Sequence, residues 1–106
     1  MIITTKEVIE GKNIVKVIGL ARGNTIRARH VGRDILAALR NLVGGEITEY
    51  TKLMAEAREQ ALDRMIAEAE RLGANAVVAT RFSTSVVLGG AAELLAYGTA
   101  VVIEDA

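Results

Sequence analysis

Residues 44–103 hold the pattern that most narrows what this chain can fold into. After Gly44-Gly45, the residues Ile47, Tyr50, Met54, Ala57, Ala61, Met65, Ala69 and Leu72 recur three and four positions apart. That spacing lays one apolar stripe along an α-helix. Glu46 and Glu49 near its start and Arg71 near its end suit the helix dipole. The spacing therefore predicts a helix over Glu46–Leu72, about 40 Å long, closed by Gly73-Ala74-Asn75. A helix of that length outruns a short sheet unless neighbouring copies of the chain cover it. Ala76–Val87 and Ala92–Ile103 then read as two strands joined through Gly89-Gly90, which predicts a hairpin. Gly98 inside the second strand marks a bulge or a close backbone approach.

The first half is less regular. Met1–Thr4 is a short extended segment, and Glu10-Gly11-Lys12-Asn13 is a turn signal. Ile14–Ala21 alternates with apolar residues on both faces, which predicts a strand covered on both sides. Arg22–His30 has no period and reads as an arginine-rich loop with Gly23 and Asn24 as its turn residues. Ile35, Leu36, Leu39 and Leu42 predict a short helix over Val31–Val43, ended by Gly44-Gly45. The order is β-β-α-α-β-β. The expected fold is a single α+β domain over residues 1–106, a small antiparallel or mixed β-sheet packed on one long and one short helix. If the strands at Ile14 and Ala76 are parallel neighbours, their crossover is right-handed.

A chain of 106 residues buries a limited core. Yet 51% of its residues are apolar, only 3% are aromatic, and no cysteine is available to staple it. Burial of apolar surface against other copies reconciles these facts, so a homo-oligomer is expected. The formal net charge is zero, which gives no bias toward nucleic acid or anionic membranes. Charge is nevertheless segregated. Residues 11–33 carry Lys12, Lys16, Arg22, Arg27, Arg29 and Arg33 and no acid. Residues 46–70 carry Glu46, Glu49, Glu56, Glu59, Asp63, Glu68 and Glu70 against Lys52, Arg58 and Arg64. No apolar run reaches the roughly 18 residues of a membrane helix, and Met1-Ile2-Ile3-Thr4-Thr5 is unlike a signal peptide. The expected location is cytoplasmic.

Several blocks together resemble one family: Gly32-Arg33-Asp34-Ile35, Val43-Gly44-Gly45-Glu46 with Tyr50, Leu72-Gly73-Ala74-Asn75-Ala76-Val77-Val78, Arg81-Phe82, and Ala96-Tyr97-Gly98-Thr99-Ala100-Val101. Over nearly its whole length the chain resembles the YbjQ-like proteins, which carry a heavy-metal-binding label without an accepted biochemical function. The resemblance implies a compact α/β subunit and a ring of identical subunits, most simply a pentamer. The metal label sits awkwardly with this composition, because soft metals prefer thiolates and the chain has none.

The candidate ligand-binding residues are Arg22, Arg27, Arg29 and Arg33, whose guanidinium forks suit phosphate or carboxylate. The alternative role for these arginines is pairing with the acidic helix, within or between subunits. The metal candidates are His30, Glu46 and Glu49, a sparse set in which only a site repeated around a ring could use the lone histidine. Gly44-Gly45-Glu46 lacks the Lys and Ser/Thr of a phosphate loop. Arg81, set among apolar residues, is expected to pair with a carboxylate, for which Glu93 across the hairpin is the candidate; the alternative is a ligand-binding arginine. Phe82 and Tyr97 are expected in the core. Ser83, Thr84 and Ser85 form no nucleophile motif, so no catalytic residues and no enzyme activity are assigned; the cofactor is left open. The functional expectation is a non-enzymatic homo-oligomer that binds a small anionic ligand at the arginine-rich loop or a subunit cleft. The alternative is a divalent- or heavy-metal-binding protein.

Overall fold

The computed structural model describes the backbone of residues 1–27, 48–87 and 91–106, with side chains for 1–26, 51–85 and 93–106. Strand β1 spans Ile2–Ile3, β2 spans Lys12–Arg27, α1 spans Thr48–Arg71, β3 spans Ala76–Val87 and β4 spans Ala91–Asp105. They form an α+β unit with one mixed sheet in the order β1-β3-β4-β2. Strand β4 is the hub, antiparallel to β2 on one side and to β3 on the other, while β1 adds a short parallel pair to β3. The strand at Ile14 is thus no neighbour of the strand at Ala76; the parallel partner of Ala76 is Ile2. The short helix expected over Val31–Val43 lies outside the described residues.

Helix α1 follows its sequence signals closely. Ala57, Ala61, Met65 and Ala69, four residues apart, are all buried and pack against Ala21, Val77, Leu94, Ala96 and Ala100 of the sheet. Its end satisfies the orphan carbonyls of the last turn. Gly73 N–H donates to Glu70 O and Ala74 N–H to Ala69 O, both at 3.0 Å, with Gly73 at φ +89°. This crossed pair of bonds is the Schellman motif, which needs a residue at positive φ and so favours glycine. Asn75 then carries the chain into the sheet. Its side-chain amide donates to Ile103 O at 3.0 Å and accepts from Ile103 N–H at 2.7 Å. The amide thereby copies a backbone pairing one step before β3 begins.

The second strand differs from expectation. Rather than stopping at Ala21 and giving way to a loop, it pairs with β4 without interruption from Leu20↔Thr99 to Arg27↔Ala92. Gly23 explains the difference. It is a strand residue on which α1 rests: a Cβ there would lie 2.3 Å from Met65 N and 2.4 Å from Ala61 O. The glycine serves close helix–sheet approach, not a turn. Nor is β2 covered on both sides. Ala21, Gly23 and Thr25 are buried beneath α1, whereas Val15, Val17, Leu20 and Ile26 are exposed. The strand lies at the sheet edge, and among the described residues no element covers its other face.

Gly98 fulfils the expectation of a close approach. A Cβ there would meet Val77 Cγ1 at 2.6 Å and Val78 O at 2.9 Å. The bulge lies across from it in β3, where the register shifts between Val78 and Arg81 and Ala79 adopts φ +54°. Ala79 N–H and Thr80 N–H turn to the N-terminal segment, donating to Lys6 O at 2.8 Å and Thr4 O at 3.0 Å. A second small cluster, Ala76, Val78, Val101 and Ile103 with Ile9 packed against it, lies on the sheet face opposite α1.

Candidate functional site

Of the arginines singled out in the sequence, Arg22 has a described side chain. Alternation along β2 buries Ala21, Gly23 and Thr25 under α1 and leaves Arg22, Asn24 and Ile26 exposed on the opposite face. Arg22 therefore projects from a strand, not from a loop. Arg27 is the last residue of β2, with its backbone opposite Ala92. Arg29, His30, Arg33 and Glu46 lie outside the described residues, and Glu49 falls in the first turn of α1 with only its backbone described.

Register places two further residues beside Arg22. Its partner on β4 is Tyr97, and the partner of Tyr97 on β3 is Arg81. Directly opposed residues share a face, so Arg22, Tyr97 and Arg81 form one lateral row across three strands. The next row is Asn24, Leu95 and Ser83, and the one beyond is Ile26, Glu93 and Ser85. Tyr97 and Leu95 are half-buried. Leu94 and Ala96, which alternate with them, are buried under α1.

Arg81 is not paired with Glu93. Register sets Glu93 opposite Ser85, and its carboxylate accepts from Asn24 Nδ2 at 3.3 Å. The Arg81 Nη1 instead donates to Thr5 O and Thr80 O, each at 2.8 Å. The bulge at Ala79 brings these carbonyls within reach. Phe82 also departs from expectation: it is 44% exposed, because α1 lies over β2 and β4 and barely reaches β3.

The ion pairs among the described residues are Lys6–Glu10, Lys12–Asp105 and Arg71–Glu68, and none includes Arg22 or Arg81. Between β2 and α1 the described polar contacts run from Arg64 Nη1 to Asn24 O at 2.6 Å and from Thr25 Oγ1 to Ala57 O at 3.4 Å. Both end on backbone carbonyls, so no described arginine of β2 is neutralised by an acid of α1. The described surface has no pocket, and the arginine row lies on an open sheet face. No group of three metal-ligating His, Cys, Asp or Glu side chains comes together among the described residues.

The sequence reading puts Arg22 in a loop and does not set it beside Tyr97 and Arg81, as the strand register does. The signal was the hairpin register, and the bulge hides it, because residue counting across β3 and β4 fails by one at Ala79.

A family model described as "Putative heavy-metal-binding", of YbjQ type, matches residues 1–104. A UPF0145 protein of Methanosarcina acetivorans is 59% identical over 103 residues, covering 97% of each chain. One from Clostridioides difficile is 60% identical, covering 99% of this chain and 94% of its own. Another from Pyrococcus furiosus is 61% identical, covering 98% and 91%. A crystal structure of a protein of unknown function from Pediococcus pentosaceus, assigned to the DUF74 family, shares the fold with a TM-score of 0.64. It is 17% identical and covers 98% of both chains.

Proposed function

The chain belongs to the YbjQ-type UPF0145 family, and from that premise we propose that it is a non-enzymatic, self-associating binding protein for a small anion, held by arginines at the β2 end of the sheet. The observation that carries this reading is Arg22, whose guanidinium stands on an exposed face with no described acid partner. Arg27 lies on the same strand, and Arg29 and Arg33 follow in the sequence. Guanidinium forks bind phosphate and carboxylate in bidentate fashion. None of the relatives named above carries an enzymatic name.

Self-association is supported by the edge strand. Strand β2 has 16 residues, an edge with no partner strand among the described residues, and Val17 and Leu20 more than half exposed. Such edges are covered in stable proteins. The Cα radius of gyration is 17.2 Å, against about 13 Å for a compact chain of this length. A closed ring, of five copies by family resemblance, covers both edge and apolar surface. A cytoplasmic setting is part of the proposal; among the described residues no helix is long and apolar enough to cross a membrane.

Native mass spectrometry of protein prepared without added metal or chelator tests this reading, giving subunit number and retained mass together. A ring that retains an anion, and loses it in the Arg27→Ala/Arg29→Ala variant while staying assembled, supports it. Disassembly of that variant makes the arginines intersubunit salt-bridge donors instead. The family description favours a second reading, binding of a divalent or heavy metal through His30, Glu46 and Glu49. It requires stoichiometric metal uptake, measured by elemental analysis after dialysis against metal, that is lost on changing His30 or Glu46 to Ala.

A further inference from the structure

The anion reading leaves open where on the molecule an anion is gripped. The row Arg22–Tyr97–Arg81 answers this with residues from three strands. Adjacent strands lie about 4.8 Å apart, so the two arginine Cα atoms are separated by about 10 Å. Tyr97 stands between them, within the length of an arginine side chain from either position.

The two arginines differ in a useful way. Arg81 is anchored, because Nη1 donates to Thr5 O and Thr80 O at 2.8 Å. Its Nη2 and Nε carry no described hydrogen bond and form one edge of the guanidinium fork. An anchored fork loses little freedom on binding, which raises affinity without any new contact. Arg22 is exposed and makes no described ion pair, so it is free to close over a ligand from the other side. The carboxylate of Glu93 is four residues along β4 from Tyr97, about 13 Å away, and it is engaged by Asn24. It does not compete for the row.

We propose that Arg22, Tyr97 and Arg81 form an oxyanion site for a phosphate monoester whose flat organic part lies on Tyr97 and Leu95. A phosphate monoester offers three terminal oxygens to two forks and a phenol, whereas a carboxylate offers two. The neighbouring row sets half-buried Leu95 between the polar side chains of Asn24 and Ser83. That combination suits a flat body with polar edges. Among the described residues the row lies on an open sheet face without a pocket, an arrangement for a ligand laid on the surface. This site rests on the anion-binding reading above and narrows it.

The test is calorimetric titration of the full chain with phenyl phosphate and inorganic phosphate. Wild type is expected to bind phenyl phosphate. Arg22→Ala and Arg81→Lys are each expected to weaken it at least about tenfold, the loss of one charge-assisted fork. Tyr97→Leu is expected to weaken phenyl phosphate more than inorganic phosphate. Arg22→Ala removes an exposed side chain with no described partner, so its fold serves as the control, checked by circular dichroism. Unchanged affinity in Arg22→Ala and Arg81→Lys overturns the row. If binding is then lost in Arg27→Ala/Arg29→Ala, the broader anion reading survives without it. Wild type that binds neither phosphate overturns both. A drop in subunit number in Arg22→Ala assigns the row to a carboxylate of a second copy and overturns it as a ligand site.

Discussion

Gly23 is the residue on which the packing of α1 depends. The backbone of the helix at Ala61 and Met65 occupies the space a Cβ would need. Backbone atoms cannot rotate away as a side chain can. Gly23→Ala is therefore expected to cost about 3 kcal/mol through forced separation of helix and sheet, read from urea unfolding. A second prediction concerns Asp105. The Lys12 ammonium hydrogen-bonds its carboxylate and attracts it electrostatically, holding its pKa below the ordinary 3.8. The folded value is depressed, so this pairing stabilises the fold above the unfolded pKa. The stabilisation is lost as pH falls through the folded value. Titration of the Asp105 carboxyl carbon by NMR should show a midpoint below that of the unfolded chain, returning toward it in Lys12→Ala.

Among the elements, the helix and the hairpin strands were legible, and the second half of β2 was not. Helix α1 announced itself because Ala57, Ala61, Met65 and Ala69 keep one face and Gly73 supplies the stop. The strand ran past its expected end because Gly23 and Asn24 look like turn residues, yet tertiary contact with α1 decides what they do. The candidate site was legible as a concentration of arginine but not as a row, because a row depends on register, and register here passes through a bulge. Where α1 hands over to β3, Asn75 makes the junction specific. Asn75→Ala removes both side-chain bonds to Ile103 and leaves its part-buried N–H and C=O without them. We expect a loss of about 1–3 kcal/mol, with faster hydrogen exchange at the Ile103 amide.

At the scale of the molecule, α1 covers one face of β2 while apolar side chains remain exposed along its edge. Val17, 64% exposed, is a direct place to test what covers that edge. A lysine on a strand edge opposes edge-to-edge pairing. Val17→Lys should leave the monomer fold intact by circular dichroism and lower the subunit number seen by sedimentation; an unchanged assembly would place the interface elsewhere. The sheet order carries a consequence for how such a chain is made. Among the described residues, except for the short β1–β3 pair and its extension through the N-terminal segment, every ladder runs through β4. During synthesis β4 emerges after all its partners. Until it does, β2 lacks the one partner strand it has among the described residues, and its valines and isoleucines wait in a nascent chain that cannot yet form this sheet. Of the described strands, the last to be made is the one that lets the first long strand fold, so this sheet closes from β4 back to β2.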